Sequence, residues 1–185
     1  MFWGFFDIML QAGKDWRWLT CKERNRLVLY VESTREELVM PYKTRQLTQA
    51  AIEGSCFSLE DAALYEQICH YLSAFSIWSE GEIAVIALHA TAAKLHLKPV
   101  LAKSWFFKPY QGHTPSTEAI ITLNSQKQSG QFLIIECGND ASVCMCLEHQ
   151  MQLDDNFSLS RFETIKVLND RVNPILINQS QLKRA

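Results

Sequence analysis

Apolar residues recur along this chain with two different periods, and the changes between them mark its elements. Near the N-terminus the period is two. Asp15-Trp16-Arg17-Trp18-Leu19 puts Trp16 and Trp18 on one face, and Arg26-Leu27-Val28-Leu29-Tyr30-Val31 puts Leu27, Leu29 and Val31 on one side. With the polar stretch Cys21-Lys22-Glu23-Arg24-Asn25 between them, the two runs predict a β-hairpin. Glu37 to Tyr42 predicts a third short strand, and Pro41, which has no N–H for a ladder, places it at a sheet edge. Lys43 to Phe57 holds no single period; Thr44 to Ile52 allows a short helix that Gly54 ends.

From Ser58 the step lengthens to three and four. Ser58 can cap the free amides, Glu60 and Asp61 sit at the positive end of the dipole, and Leu64, Tyr65, Ile68, Leu72 and Phe75 form an apolar stripe. A second helix opens where Ser79 and Glu82 have capping-box spacing. Ile83, Ile86, Ala87, Ala90, Ala93 and Leu97 make its inner face, and Lys94, His96 and Lys98 fall at its negative pole. The two helices are expected as antiparallel neighbours covering the hairpin. Past Gly112 the period returns to two, with strands at Glu118 to Leu123, Gln131 to Cys137, Ser142 to Glu148, Thr164 to Leu168 and Val172 to Ile177. Phe132-Leu133-Ile134-Ile135 is apolar on both faces, as a central strand of a small barrel would be.

Between the helical and the strand-rich parts lies Lys98-Pro99-Val100-Leu101-Ala102-Lys103-Ser104-Trp105-Phe106-Phe107-Lys108-Pro109. It holds three lysines, three aromatic rings, two prolines and no acidic residue. The prolines bias it away from helix. Its rings either pack into a junction between layers, or line a groove where Lys98 and Lys103 meet an acidic partner. Both readings hold together if Trp105 is buried and the lysines are exposed.

Composition narrows the class. A chain of 185 residues, 48% apolar and 21% charged, has the make-up of a soluble globular protein. A net charge of −2 supplies no global field for nucleic acid or an anionic membrane. Six cysteines without a C-x-x-C read as free cytosolic thiols, and no apolar run is long enough to span a bilayer. Met1 to Leu10 is apolar but lacks the basic start and small-residue cleavage site of a secretory signal, and is expected to be disordered or lightly packed. The reading is thus α+β: an extension at 1–13, an α/β domain at 14–103 with the hairpin packed by two helices, a small twisted β-barrel-like domain at 104–178, and a polar tail at 179–185.

Catalytic chemistry is not expected. The glycine motifs that cradle phosphates are missing, as are G-x-S-x-G and H-E-x-x-H. His89 and His96 share a helix face without an acidic or thiol partner at ligand spacing, so no metal and no cofactor are predicted. Cys144 and Cys146, the candidates for a thiol nucleophile or, with Cys137, a metal site, read as buried inert thiols. Glu60-Asp61 and Asp154-Asp155 are helix-start or turn charges, since adjacent side chains point apart.

A more specific signal is a resemblance. Asp15-Trp16-Arg17-Trp18, Glu60-Asp61-Ala62-Ala63-Leu64-Tyr65, Leu97-Lys98-Pro99 with Lys103-Ser104-Trp105-Phe106-Phe107, and Leu168-Asn169-Asp170-Arg171 resemble the ZapC family of Z-ring-associated bacterial cell-division proteins. The likeness is colinear from about Lys14 to Ile175, whereas Met1 to Ile8 departs from the family pattern. It implies a cytoplasmic, non-enzymatic protein at the midcell division ring. Such a protein binds the tubulin-like GTPase FtsZ, promotes lateral association of its filaments and dampens its GTP hydrolysis. It also implies an apolar pocket in the N-terminal domain with basic residues at its edge, which carries over as Leu29 for the pocket and Lys98 and Lys103 for the rim. The aromatic pattern adds Trp16, Trp18, Tyr65 and Trp105, each equally readable as core. The expected partner is FtsZ through its C-terminal tail, with no nucleic acid and no membrane, and the chain is expected to be a monomer with weak self-association left open. The alternative is a cytoplasmic adaptor that binds another acidic peptide or a nucleic acid through the same basic-aromatic surface.

Overall fold

Trp16 and Trp18 share a face, and the first sheet is built on it. The computed structural model describes residues 12–112 and 119–175, which fall into two units, 12–98 and 99–175. The expectations for Met1 to Leu10 and for the tail at 179–185 lie outside the described residues.

In the first unit, β1 (Trp16–Cys21), β2 (Arg26–Val31), β3 (Glu36–Lys43) and β4 (Ser55–Cys56) form an antiparallel sheet in the order β3-β2-β1-β4. The register sets Trp16 opposite Val31, Trp18 opposite Leu29 and Thr20 opposite Leu27, so one face carries the large apolar side chains. β3 is an edge strand, where Pro41 forfeits least. A 3-10 turn at Thr44–Gln46 and α1 (Gln49–Glu53) follow, and α1 ends on Gly54 at φ +86°, backbone that a side chain would strain. Next come α2 (Leu59–Ser73) and α3 (Glu80–His96), each opened by a reciprocal capping box, Ser58 with Asp61 and Ser79 with Glu82.

Leu64, Tyr65, Ile68, Leu72 and Phe75 are buried, as the stripe on α2 predicts. α3 departs from its expected stripe. Ala84, Leu88, His89, Thr91, Ala92 and His96 are buried along with Ile83, Ile86, Ala87, Ala90 and Ala93, so the helix is enclosed almost all round, while Leu97 lies past its end and is half-buried. Its alanines allow this: a helix with so little side-chain bulk admits neighbours on several sides. Tyr42 in β3 donates from its hydroxyl to the His89 carbonyl at 3.1 Å, which ties the sheet edge to the middle of α3. Each fully buried Leu, Ile or Phe contributes about 1.5–3 kcal/mol, enough for packing to override the weak local preferences of Val and Thr in a helix.

In the second unit, β5 (Ile120–Asn124), β6 (Ser129–Cys137), β7 (Ala141–Cys146), β10 (Thr164–Leu168) and β11 (Asn173–Pro174) form an antiparallel sheet in the order β10-β7-β6-β5-β11. A two-stranded ribbon of β8 (Gln150–Gln152) and β9 (Ser158–Ser160) accompanies it. β6 is central, and Phe132, Leu133, Ile134 and Ile135 are all buried, as their apolar run requires. The core of this unit gathers Ile121, Leu123, Phe132, Ile134, Cys144, Cys146, Ile165 and Val167 under Phe106 and Phe107. Among the described residues the sheet does not close into a barrel, and the α+β class with a sheet-rich second unit stands. β8 and β9 were not foreseen, for each is three residues long with one apolar side chain, Met151 or Leu159.

Candidate functional site

His96 ends α3, and the chain beyond it leaves in extended form beside the segment that follows β3. Thr48 N–H donates to the His96 carbonyl at 2.9 Å, Lys98 N–H donates to the Gln46 carbonyl at 2.8 Å, and Leu47 bridges Leu97 between them. This short pairing carries Lys98 to the surface, where its ammonium donates to the Arg45 carbonyl at 3.3 Å. Lys43 and Arg45, on either side of the start of the 3-10 turn, are exposed as well. Sequence reasoning found Lys98 and missed its bond to Arg45, because nothing local to residues 43–45 announces a contact some fifty residues away.

Underneath lies a buried carboxylate. Asp61 Oδ1 accepts from Trp18 Nε1 at 2.9 Å and lies 3.0 Å from His96 Nε2, while Oδ2 accepts from the Ser58 amide at 2.8 Å and its hydroxyl at 2.6 Å. Burial by itself pushes the Asp61 carboxyl up, but the bonds from His96, Ser58 and Trp18 outweigh it and hold the carboxyl below its ordinary value. The His96 ring also stacks at a tilt on Trp18, with centroids 5.0 Å apart. Asp61 at the start of α2 therefore locks the end of α3, and through it the position of Lys98. The sequence read Asp61 as a helix-start charge and His96 as a residue at the dipole; both are in place, but their pairing follows from the antiparallel packing of α2 and α3.

The structure places the predicted residues in two groups. Leu29 and Trp18 are 0% exposed, and Trp16 and Tyr65 1%. They are buried in the core of the first unit. Burial pushes the Tyr65 hydroxyl up, and the Cys69 thiol beside it up to about 11. Lys98 stands at the surface of the first unit, and Lys103 and Trp105 at the surface of the second.

For Trp105 the sequence left core and contact both open, and a local turn decides which way the ring faces. Ser104 to Phe106 forms a 3-10 turn in which Ser104 and Phe106 point inward, the Ser104 hydroxyl accepting from the Leu168 amide at 2.8 Å. Trp105 is thereby turned out and is 67% exposed. Its ring adjoins Phe106 at 5.5 Å, and the buried Phe106 adjoins the exposed Phe157 at 5.6 Å. Lys103 and Lys108 flank it, exposed and without an ion pair among the described residues.

Burial also decides the thiols. It pushes Cys144 well up and Cys146 up to about 11, so at neutral pH neither carries the thiolate that a nucleophile or metal ligand needs. Among the described residues, no three of His, Cys, Asp and Glu converge as a metal site would require. Among the described residues, no helix is long and apolar enough to cross a membrane.

These features define a small α+β protein of two units, with exposed lysines and an exposed aromatic ring in the stretch 98–108. Comparison with known proteins then gives the family. Residues 9–98 match the family model described as cell-division protein ZapC, N-terminal, and residues 99–178 that described as cell-division protein ZapC, C-terminal. The chain is 55% identical over 168 residues to the cell division protein ZapC of Pseudoalteromonas translucida, covering 91% of this chain and 95% of that one. It is 32% identical to the protein of the same name in Aeromonas hydrophila, over 95% of this chain and 98% of that one, and 33% identical to that of Shewanella woodyi, over 94% and 96%. The chain belongs to the ZapC family of cell-division proteins, and its role is in cell division.

Proposed function

We propose that this protein binds FtsZ at the midcell ring in the cytoplasm, promotes lateral association of its filaments and slows its GTP hydrolysis, without catalysing a reaction of its own. Family membership supports the division role, and the resemblance that carries FtsZ with it supports the partner. The observation that carries the contact is the outward Trp105 ring with exposed Lys103 and Lys108 beside it in a stretch free of carboxylates. Such a surface suits an acidic segment with apolar side chains: the ring supplies desolvated area, and the ammonium groups steer and orient the approach. Lys98 adds its charge on the first unit. Leu29, Trp16, Trp18 and Tyr65 support it by holding the fold of the first unit, which presents Lys98.

A single contact of about −8 kcal/mol, micromolar in affinity, suffices because a filament presents many copies of its partner surface. Co-sedimentation with GTP-assembled FtsZ tests the reading. The protein is expected in the pellet at about 10 μM, where a micromolar site is mostly filled, and FtsZ turnover is expected to fall. Running the assay with FtsZ lacking its C-terminal tail tells whether the tail or the body carries the contact. A protein that stays in the supernatant with both forms contradicts the proposal, and so does one that shifts nucleic acid at physiological salt while ignoring FtsZ.

A further inference from the structure

The sheet of the first unit carries apolar side chains on both faces, and its helices meet it on one. There Thr20 donates to the Ala51 carbonyl of α1, Trp18 to Asp61 of α2 and Tyr42 to the His89 carbonyl of α3. An antiparallel sheet packed on one side is expected to alternate, apolar inward and polar outward. The middle of this one breaks that rule. The register aligns Leu19 with Val28 and Val28 with Val39, so the three side chains form one row across β1, β2 and β3 on the face turned away from Trp18. Val28 at the centre is 2% exposed, while Leu19 and Val39 on its flanks are 41% and 39% exposed. Polar rows lie on either side. Arg17, Tyr30 and Glu37 form one, and Cys21, Arg26 and Lys43, past a bulge in β3, form the other. Arg17 is paired with Glu32 and Glu37 with Arg24, all of them exposed enough for such pairs to exchange partners at little cost.

We propose that this face is a self-association surface and that its occupant is a second copy of the chain, turned over by a two-fold axis that crosses the strands at Val28. Under that axis Leu19, Val28 and Val39 each meet their own counterparts. Glu37 of one copy comes opposite Lys43 of the other, and Tyr30 opposite Arg26, so a charge pair and a cation–ring pair form twice while no like charges are set together. The mixed signs of the two polar rows suit such a copy better than a strongly acidic or basic partner. Three rows on three strands cover about 10 Å by 14 Å, far below the roughly 800 Å² that each partner gives a standard interface. The contact is therefore weak between free chains and takes hold where a filament keeps many copies at millimolar effective concentration. The proposal rests on the FtsZ reading for that filament and supplies its missing half: one contact per chain decorates a filament, whereas lateral association takes a second.

The test uses the full chain and the pair Leu19→Lys and Leu19→Glu. Either variant alone sets like charges against each other across the axis, and a one-to-one mixture sets opposite charges there. Sedimentation velocity follows self-association up to about 1 mM, low-speed pelleting of GTP-assembled FtsZ reads bundling, and high-speed pelleting reads binding. The parent's sedimentation coefficient is expected to rise with concentration. Each variant alone stays monomeric and bundles FtsZ about fivefold less, with binding within about twofold of the parent, and the mixture recovers bundling. A folding defect would not be repaired by mixing, and Val39→Lys with Val39→Glu repeats the test on the other flank. Should both variants alone bundle filaments like the parent, the surface is overturned and the FtsZ reading stands. Should the parent self-associate and the variants not, while the parent ignores FtsZ, the surface stands and the filament is wrong. Loss of FtsZ binding in the high-speed pellet that mixing does not restore makes FtsZ the occupant and overturns the second copy.

Discussion

At the scale of single residues, this protein separates what holds it together from what it offers to others. Leu29 has no exposed surface and pairs with Trp18 across two strands. Leu29→Ala should lower the unfolding free energy by about 2–5 kcal/mol, read by denaturant titration, and should reduce partner binding only as far as it unfolds the chain. Trp105→Ala is its opposite, with an expected change within about 0.5 kcal/mol and a clear loss of FtsZ binding. Both tryptophans of β1 were legible from their alternation, because a period of two fixes a shared face wherever the strand lies. Trp105 was not. Its direction depends on a 3-10 turn that sends Ser104 and Phe106 inward, and a stretch bounded by prolines gives no period from which to read a turn. Lys98 was legible at its helix end, whereas its bond to the Arg45 carbonyl depends on a pairing between distant backbone segments.

At the scale of elements, capping and close packing explain most of the first unit. Ser79→Ala removes a hydroxyl that accepts from the Glu82 amide at 3.3 Å and donates to its carboxylate at 2.8 Å, and should cost about 1 kcal/mol of stability. Ala87→Leu places three carbons into a helix enclosed on nearly every side and should cost about 1–3 kcal/mol, read as a lower melting temperature. The start of α2 and the end of α3 meet through Asp61 and His96, which gives the unit an acid limit. The Asp61 carboxyl is held below its ordinary value of 3.8 in the folded chain, so its contribution is complete above about pH 4 and is lost as the pH falls through the folded value. Acid titration followed by tryptophan fluorescence should show the parent losing stability below about pH 4, while Asp61→Asn loses less over that range from a lower starting stability. Helix starts were readable because capping is local. The near-complete burial of α3 was not, since alanine marks neither an inner nor an outer face. The strands β8 and β9 escaped because three residues are too few to establish a period.

At the scale of the whole molecule, the α+β class was legible from the switch between periods, and the family from its colinear stretches. What the sequence could not supply is which aromatic rings face solvent, for that is settled by packing within each unit. The proposed contact rests on the answer: the chain turns Lys98, Lys103 and Trp105 outward and keeps Cys144, Cys146 and the two tryptophans of β1 inside. A partner bound in this way responds to salt, because exposed charges are screened over about 8 Å at physiological ionic strength. The most direct measurement is co-sedimentation of the parent and the Lys103→Glu, Trp105→Ala double variant with GTP-assembled FtsZ, at matched melting temperatures. The account predicts that the parent pellets with the filaments and the double variant remains largely in the supernatant; equal pelleting of the two would contradict it.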